Sequence, residues 1–453
     1  MRAKEGCYTR GSIMGTLFRS SISMLPGTLA ITGYNLADTL FVAKLGTIPL
    51  AAMGYTFPVI VLVNCFYRGV GVGVTASTAH AIGGRKHKKA AKLVTAGVVL
   101  VALFSVLVAC VGVNTIDATF RLFNADPAAL PMIFDYMSIW YYGSITIALC
   151  MTGNDLLITV GDTKMASAVM FGGMILNVFL NWIFIFKLGL GIRGAAWATI
   201  VSQCSAAVAT MLRLWLKHDL FDSCAIGLAR LLRVWRVILR ITLPSIPGMM
   251  MMPLGVGATT YVTNFFGAGV VAGATAAMRM EGIAFIFPMS FGMTLMPLVG
   301  QNFGARLYKR IDECRHTANH IVFFFGLAMA VLFFFGAPYI TCWFTDDPAV
   351  AAVMVLYLRI IPWGFGLVEI HRYSTFFYTG CNRPNIASLL NFLRIGVLLV
   401  PFLLLALWIG RVELLFGARL AADVIAGTVG WVMMTMLTRR LAAGQSSAPV
   451  REK

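Results

Sequence analysis

"FNADPAALPMIFDYMSIWYYG", residues 123–143, returns as "FTDDPAVAAVMVLYLRIIPWG" at 344–364, an offset of 221 residues (344 − 123). Phe123 falls on Phe344, Asp126-Pro127 on Asp347-Pro348, Tyr136 on Tyr357 and Gly143 on Gly364. The same offset carries "IGGRKHKK" (82–89) onto "FGARLYKR" (303–310) and Ala166-Ser167 onto Ala387-Ser388. Three matches at one spacing mark an internal duplication, and a duplication sets the plan of the whole chain.

The duplicated unit belongs in a membrane. Of 453 residues, 59% are hydrophobic and 12% charged, with a mean hydropathy of +0.83, outside the range of soluble globular domains. A spanning helix takes about 20 apolar residues, and stretches of that kind recur about every 35–40 residues between Gly/Pro or basic breaks. Twelve spans are expected, at about 14–43, 47–78, 92–115, 131–155, 164–187, 191–217, 237–266, 270–300, 317–341, 349–378, 386–410 and 414–438. The basic start, MRAKEGCYTRGSIMGTLFRS, runs into the first span without a small-residue cleavage signature and is expected to stay attached.

Six spans per repeat give both halves one orientation. The expected fold is therefore all-α integral membrane, with twelve transmembrane helices in two six-helix bundles related by a pseudo-two-fold axis along the membrane normal. The lobes are expected at 1–218 and 241–453, joined by an amphipathic cytoplasmic linker at 219–240, in the basic segment that opens "KHDLFDSCAIGLARLLRVWR" (217–236), that lies along the interface.

A net charge of +18 could suggest nucleic acid, but the cations follow topology instead. They crowd alternate loops: Arg2, Lys4 and Arg10; Arg85, Lys86, Lys88 and Lys89; Arg230, Arg233, Arg236 and Arg240; Arg306, Lys309 and Arg310; Arg439 and Arg440. The other loops hold scattered cations such as Lys44, Arg121, Lys187, Arg193, Arg411 and Arg419. By the positive-inside rule both termini are cytoplasmic in a multi-pass plasma-membrane (bacterial inner-membrane) protein. The lipid bilayer is then the expected partner, and nucleic acid is not. The nine cysteines show no metal or disulfide spacing, and those in mid-span read as small residues at lipid depth.

Against this apolar background, carboxylates carry the information. Asp38 lies in "ITGYNLADTLFVAKLG" (31–46), inside the first span, where a charge costs a few kcal/mol and survives mainly facing a bundle interior or watery cavity with a partner. Tyr34, one turn earlier, can reach it along the same helix face. The fifth span offers Asn177 and Asn181, four apart, and the sixth offers Thr199. Amide and hydroxyl oxygens around one carboxylate suit either a hard monovalent cation such as Na⁺ (Asp38, Asn177, Asn181) or a protonated acid. The plainer alternative is that Asp38 caps a helix near the outer surface and the two asparagines join helices together.

The second half has its own acids, Glu281 in "AAMRMEGIAFIFP" and Glu369 in "GFGLVEIHRYSTFF". Arg279 stands two residues from Glu281, while Arg372 and His371 stand beside Glu369. Internal neutralisation and a second proton or substrate site both fit. "PSIPGMMMMPLGVG" (244–257) sets prolines against Met249, Met250 and Met252, giving a bent helix with adaptable, polarizable side chains suited to a poorly selective cavity. Pro26 removes a backbone hydrogen bond below Asp38 and allows a hinge there. No phosphate loop, HExxH or nucleophile elbow occurs, so catalysis is not expected, and no cofactor beyond the coupling ion, H⁺ or Na⁺, is called for.

"DTLFVAKLGTIPLAA" after the first span, "GDTKMASAVMFGGMILNVFLN" entering the fifth, "GIRGAAWAT" opening the sixth and "PLVGQNFGAR" closing the eighth resemble the multidrug and toxic compound extrusion (MATE) transporters over nearly the full chain. The resemblance implies an efflux antiporter that expels amphipathic, often cationic compounds, drugs or toxic organic cations, in exchange for H⁺ or Na⁺ by alternating access. A monomer is expected. Asp38, Asn177 and Thr199 fall on the amino-terminal-lobe cation site of the DinF-like branch, where some members carry a second aspartate at the position of Asn181. Its absence here lowers the charge of the site and weakens Na⁺ binding more than protonation. The NorM branch places a glutamate in its seventh span, and this chain has no acid between Arg240 and Glu281. A lipid-linked oligosaccharide flippase of the same clan is the alternative; twelve spans and mid-depth acids favour the antiporter.

Overall fold

A computed structural model describes residues 7–222 and 227–446. Arg2 and Lys4 of the first basic cluster, and residues 223–226 of the expected linker with Cys224, lie outside the described residues. The described chain is helical: α1 Ile13–Ala43, α2 Thr47–Gly83, α3 His87–Leu122, α4 Leu130–Thr159, α5 Thr163–Asn181 extended by a π-helical turn at Trp182–Lys187, and α6 Gly191–Leu216. The second half follows with α7 Leu228–Asn264, α8 Ala268–Ala284, α9 Ile286–Gly304, α10 Tyr308–Cys342, α11 Pro348–Ile360, α12 Phe365–Gly380, α13 Pro384–Phe392, α14 Val400–Ile409 and α15 Val412–Ser446. A 3₁₀ turn, Ile361–Gly364, joins α11 to α12, and a π turn, Leu393–Leu399, joins α13 to α14.

Nine of these helices, counting joined pieces as one, are long and apolar enough to cross a membrane, and α8 with α9 makes a tenth span bent by 53°. The remaining two spans are α1 and α4, of 31 and 30 residues. Their apolar runs are interrupted by Ser, Thr, Gly, Tyr and Asn, and they carry buried or half-buried carboxylates, Asp38 on α1 and Asp155 on α4. Twelve spans result, six in each half.

The repeat holds at the level of single turns. Subtracting 221 from the α8 start, Ala268, gives Thr47, the start of α2; the same operation takes α10 to α3 and α13 to α5. Left-handed backbone marks the turns in register: Gly46 (φ 120°) and Gly267 (98°), Arg85 (56°) and Arg306 (58°), Gly161 (82°) and Asn382 (61°), Gly189 (66°) and Gly410 (75°). Each of these residues ends one helix so that the next can fold back, a conformation for which glycine and asparagine carry little penalty.

Close helix approach is repeated as well. A Cβ on Gly27 would lie 3.0 Å from the Cα of Ser167, and one on Gly248 would lie 3.0 Å from the Cα of Ser388. Both pairs differ by 221, so each bundle docks its first helix on its fifth at a glycine–serine contact, the small-residue packing that membranes favour.

The chain divides into two compact units. Among the described residues, one comprises 7–10 and 19–246, the other 11–18 and 247–446. The amphipathic segment 228–240 is the first part of α7 and packs within the first unit, where Trp235 Nε1 donates to the Ala96 carbonyl at 2.8 Å. Helix formation continues through it because nothing between Leu228 and Arg240 breaks a helix.

At the basic-loop end of the first unit, Asp162 receives Lys217 Nζ at 2.9 Å, Arg213 Nε at 3.1 Å and His218 Nε2 at 3.1 Å. Burial pushes the Asp162 carboxyl up, but the hydrogen bonds from Lys217, His218 and Arg213 outweigh it and hold the acid at about 2. A folded-state value below the unfolded one stabilises the protein above the ordinary carboxylate range, and that contribution is lost as pH falls from about 4 toward 2. Asp162→Asn is expected to lower thermal stability by about 1–2 kcal/mol at neutral pH and to flatten the acid limb of a melting-temperature profile in that window. An unchanged acid limb would show that the cluster is solvated and contributes nothing.

Candidate cation-coupling site

α1 lies along α5 in the same direction, from the Gly27–Ser167 contact, where Gly27 N–H donates to Ser167 Oγ at 2.9 Å, through Gly33 beside Met174, to Asp38 beside Asn181. The carboxylate is 6% exposed, and Asn177 and Asn181 are wholly buried. Asn181 Nδ2 donates to Asp38 Oδ1 at 2.6 Å and to Asn177 Oδ1 at 3.1 Å. Thr199 Oγ1 on α6 donates to Asp38 Oδ2 at 3.4 Å. Asn181 is the last α-helical residue before the π turn, a bulge of the kind often found where a helix presents a functional side chain.

Four of the five residues expected from sequence therefore converge, and one does not bond as expected. Tyr34 shares the face of Asp38, yet its hydroxyl is 2.9 Å from Ser202 Oγ and 3.5 Å from the Thr199 carbonyl. The physical reason is reach: a tyrosine hydroxyl extends well beyond the next turn of its own helix, so it pins α1 to α6 instead of capping the acid. Ser202 donates onward to the Thr199 carbonyl at 2.9 Å. Tyr136 of α4, buried, lies near Asp38 and Tyr34. Its repeat mate, Tyr357, was visible in the sequence, but no spacing rule connects Tyr136 to α1.

The hydrogen-bond pattern is directional. Among the described residues no cationic group pairs with Asp38, and both groups that touch it are donors, which suits an ionised acid. Asn181 Oδ1 and Asn177 Nδ2 meanwhile have no partner. Turning both amides by 180° exchanges N for O with no other movement. Asn181 Oδ1 would then face Asp38 as an acceptor for a carboxylic proton and also accept from Asn177 Nδ2. Which way such an amide points follows from its hydrogen bonds, so one set of atomic positions serves both protonation states. A bound cation would have to displace the contact between Asn181 and the carboxylate, which touch at 2.6 Å. No group of three or more His, Cys, Asp or Glu side chains able to hold a metal occurs among the described residues.

The second unit is built differently. Glu281 accepts from Tyr357 and from the Arg419 guanidinium; Arg279, two residues away, is exposed and is not its partner. Positions i and i+2 face different sides of a helix, which corrects the neutralising partner expected for Glu281. Arg419 also lies 3.9 Å from Asp423, which Arg394 holds at 2.7 Å. Glu369 does pair with Arg372, at 2.9 Å. His371 Nε2 is 3.1 Å from Asn391 Oδ1, so it stands apart from that pair.

Of the methionines, Met252 is exposed and Met249 and Met250 are half-buried, consistent with four successive residues pointing round a helix. Pro26 is exposed and sits inside a helix that runs without interruption from Ile13 to Ala43.

Comparison with known proteins agrees with this architecture. Residues 25–183 and 244–405 match the MatE family, one segment in each repeat. The chain is 28% identical over 415 residues to an "FAD transporter" of Shewanella oneidensis, covering 91% of this chain and 92% of that one. It is 25% identical to the "Probable multidrug resistance protein YpnP" of Bacillus subtilis, covering 89% and 91%. The crystal structure of the Vibrio cholerae MATE transporter VcmN in its bent form superposes with a TM-score of 0.89 at 25% identity, over 95% of this chain and 98% of that one. Duplication, six spans per repeat and homology over both segments place the chain in the MatE family of multidrug efflux transporters.

Proposed function

We propose that this transporter exports amphipathic small molecules in exchange for protons, with Asp38 as the group that carries the proton. The observation that carries the reading is the Asp38 pocket: a buried acid held only by neutral groups, beside an amide pair that can serve it in either protonation state. A ligand moves a two-state equilibrium only through its different affinity for the two states. Protonation supplies such a difference, because neutral Asp38 no longer needs the donors its carboxylate demands. α1 can then settle more deeply against Asn177 and Asn181, with Pro26 absorbing the bend. The basic clusters put the termini in the cytoplasm of a bacterial inner-membrane protein, and α3, which runs from Lys88 near one end to Arg121 near the other, then joins the two membrane faces.

The likeness to a flavin-nucleotide transporter over nine-tenths of both chains favours a second substrate class, an aromatic anion. Both are tested together. In everted vesicles an imposed proton gradient should drive uptake of a cationic dye or of FAD, and a sodium gradient alone should not; uptake that follows sodium and ignores pH would replace the proton in this scheme. Cysteines at Lys88 and Lys309 should be shielded from an impermeant thiol reagent outside intact cells while one at Arg121 reacts, and the reverse pattern would invert the orientation.

A further inference from the structure

The two units share a plan but differ at the place of Asp38. Adding 221 to the residues of the Asp38 pocket gives Thr259, Leu398, Phe402 and Leu420 in place of Asp38, Asn177, Asn181 and Thr199, so the second unit has lost the neutral cradle. Only the tyrosine is kept, Tyr136 as Tyr357. Acids are nevertheless present in that unit at the depth of the spans, and each faces an arginine: Glu281 faces Arg419, Asp423 faces Arg394 and Arg419, and Glu369 faces Arg372. Three carboxylates meet three guanidiniums, and the set is neutral.

We infer that the arginines of the second unit are tethered cations, occupying beside Glu281, Asp423 and Glu369 the places a mobile cation would take, so that one coupling cation binds per molecule, and that Arg372 is the occupant whose removal opens a second site. This rests on the reading of Asp38 as the coupling acid. Glu369 is 1% exposed, and ionised carboxylates at such depth require a partner. Arg372 Nη1 stands 2.9 Å from Glu369 Oε1 but off the line of a hydrogen bond, and both carboxylate oxygens otherwise lack one. The pairing is thus one of charge, made by an arginine that is itself 29% exposed and rests over the Phe285 ring at 5.5 Å. By contrast, Asp423 Oδ1 takes an aligned bond from Arg394 Nε at 2.8 Å, with Nη2 at 2.7 Å from the same oxygen, and Glu281 is bonded by both Tyr357 and Arg419. Of the three arginines Arg372 is the most exposed and the least constrained by geometry. It is the member that a single substitution can remove without leaving a multiply bonded network open.

The consequence is a fixed exchange ratio. Purified wild-type protein, Arg372→Gln, the charge-neutral double variant Glu369→Gln/Arg372→Gln, and Asp38→Asn would be reconstituted, and the cation-to-substrate ratio read from the gradient that just halts net transport. The double variant is expected to keep the wild-type ratio, because the removed pair carried no mobile cation; a ratio lower by one would overturn the inference. Arg372→Gln leaves Glu369 unmatched, and its melting temperature in detergent should rise on acidification or on replacing choline by sodium, a response beyond any shown by the wild type. If Arg372→Gln responds only as the wild type does, Glu369 is no cation site and the inference fails, even where the variant folds too poorly to transport. Asp38→Asn separates the two readings: gradient-driven transport persisting in that variant removes the Asp38 assignment, whatever the double variant does.

Discussion

Asp38→Asn is expected to reduce gradient-driven efflux to background while leaving the protein expressed and able to bind substrate. Asparagine is close in size to aspartate, and the buried pocket of Asn177, Asn181 and Thr199 already favours hydrogen bonding over charge, so the substitution removes one titrating group and little packing. The amide can donate to Asn181 Oδ1 or accept from its Nδ2, as the two protonation states of the acid do. The variant therefore mimics a permanently neutral Asp38 and holds the transporter on one side of its cycle. Binding of a fluorescent substrate to the purified variant, beside efflux from cells at equal expression, separates lost coupling from lost folding. Undiminished efflux would exclude Asp38 as the coupling group.

The largest effect on stability is expected from Arg419→Leu. Arg419 bonds Glu281 and Tyr357 and lies 3.9 Å from Asp423. Deleting one side of a buried ion network leaves an uncompensated charge and costs about 3–5 kcal/mol. Asp423 retains Arg394 at 2.7 Å, so the cost falls chiefly on Glu281. Arg419→Leu should accordingly express poorly or melt early in detergent, and Glu281→Gln added to it should recover most of the loss. The single variant Glu281→Gln should be milder, since Arg419 keeps Asp423 as a neighbour. Equal melting temperatures for Arg419→Leu and the wild type would show that Glu281 is hydrated.

Much of this fold was legible in the sequence because duplication writes the same instruction twice. The offset found from Asp126-Pro127 and Asp347-Pro348 also governs helix starts and left-handed turns, down to the Gly27–Ser167 and Gly248–Ser388 contacts. The Asp38 pocket was legible in part, because Asn177 and Asn181 lie one turn apart and a polar pair in an apolar span must face something polar. What sequence spacing could not show were directions and distant partners. Tyr34 and Asp38 look like a bonded i, i+4 pair, but side-chain length sends the tyrosine to Ser202, 168 residues on. Glu281 finds Arg419 at a separation of 138 residues, where helix packing alone brings them together, and the nearby Arg279 points elsewhere. The methionine run had no helical phase to read, since four consecutive residues cover every face.

The most direct test of proton carriage by Asp38 is the proton count on substrate binding. Purified transporter in weakly buffered detergent solution, mixed with saturating substrate, should release protons from the wild type, and the release should vanish in Asp38→Asn while substrate still binds. Release of the same size from both proteins would contradict the account, because the exchanged proton would then reside on another group.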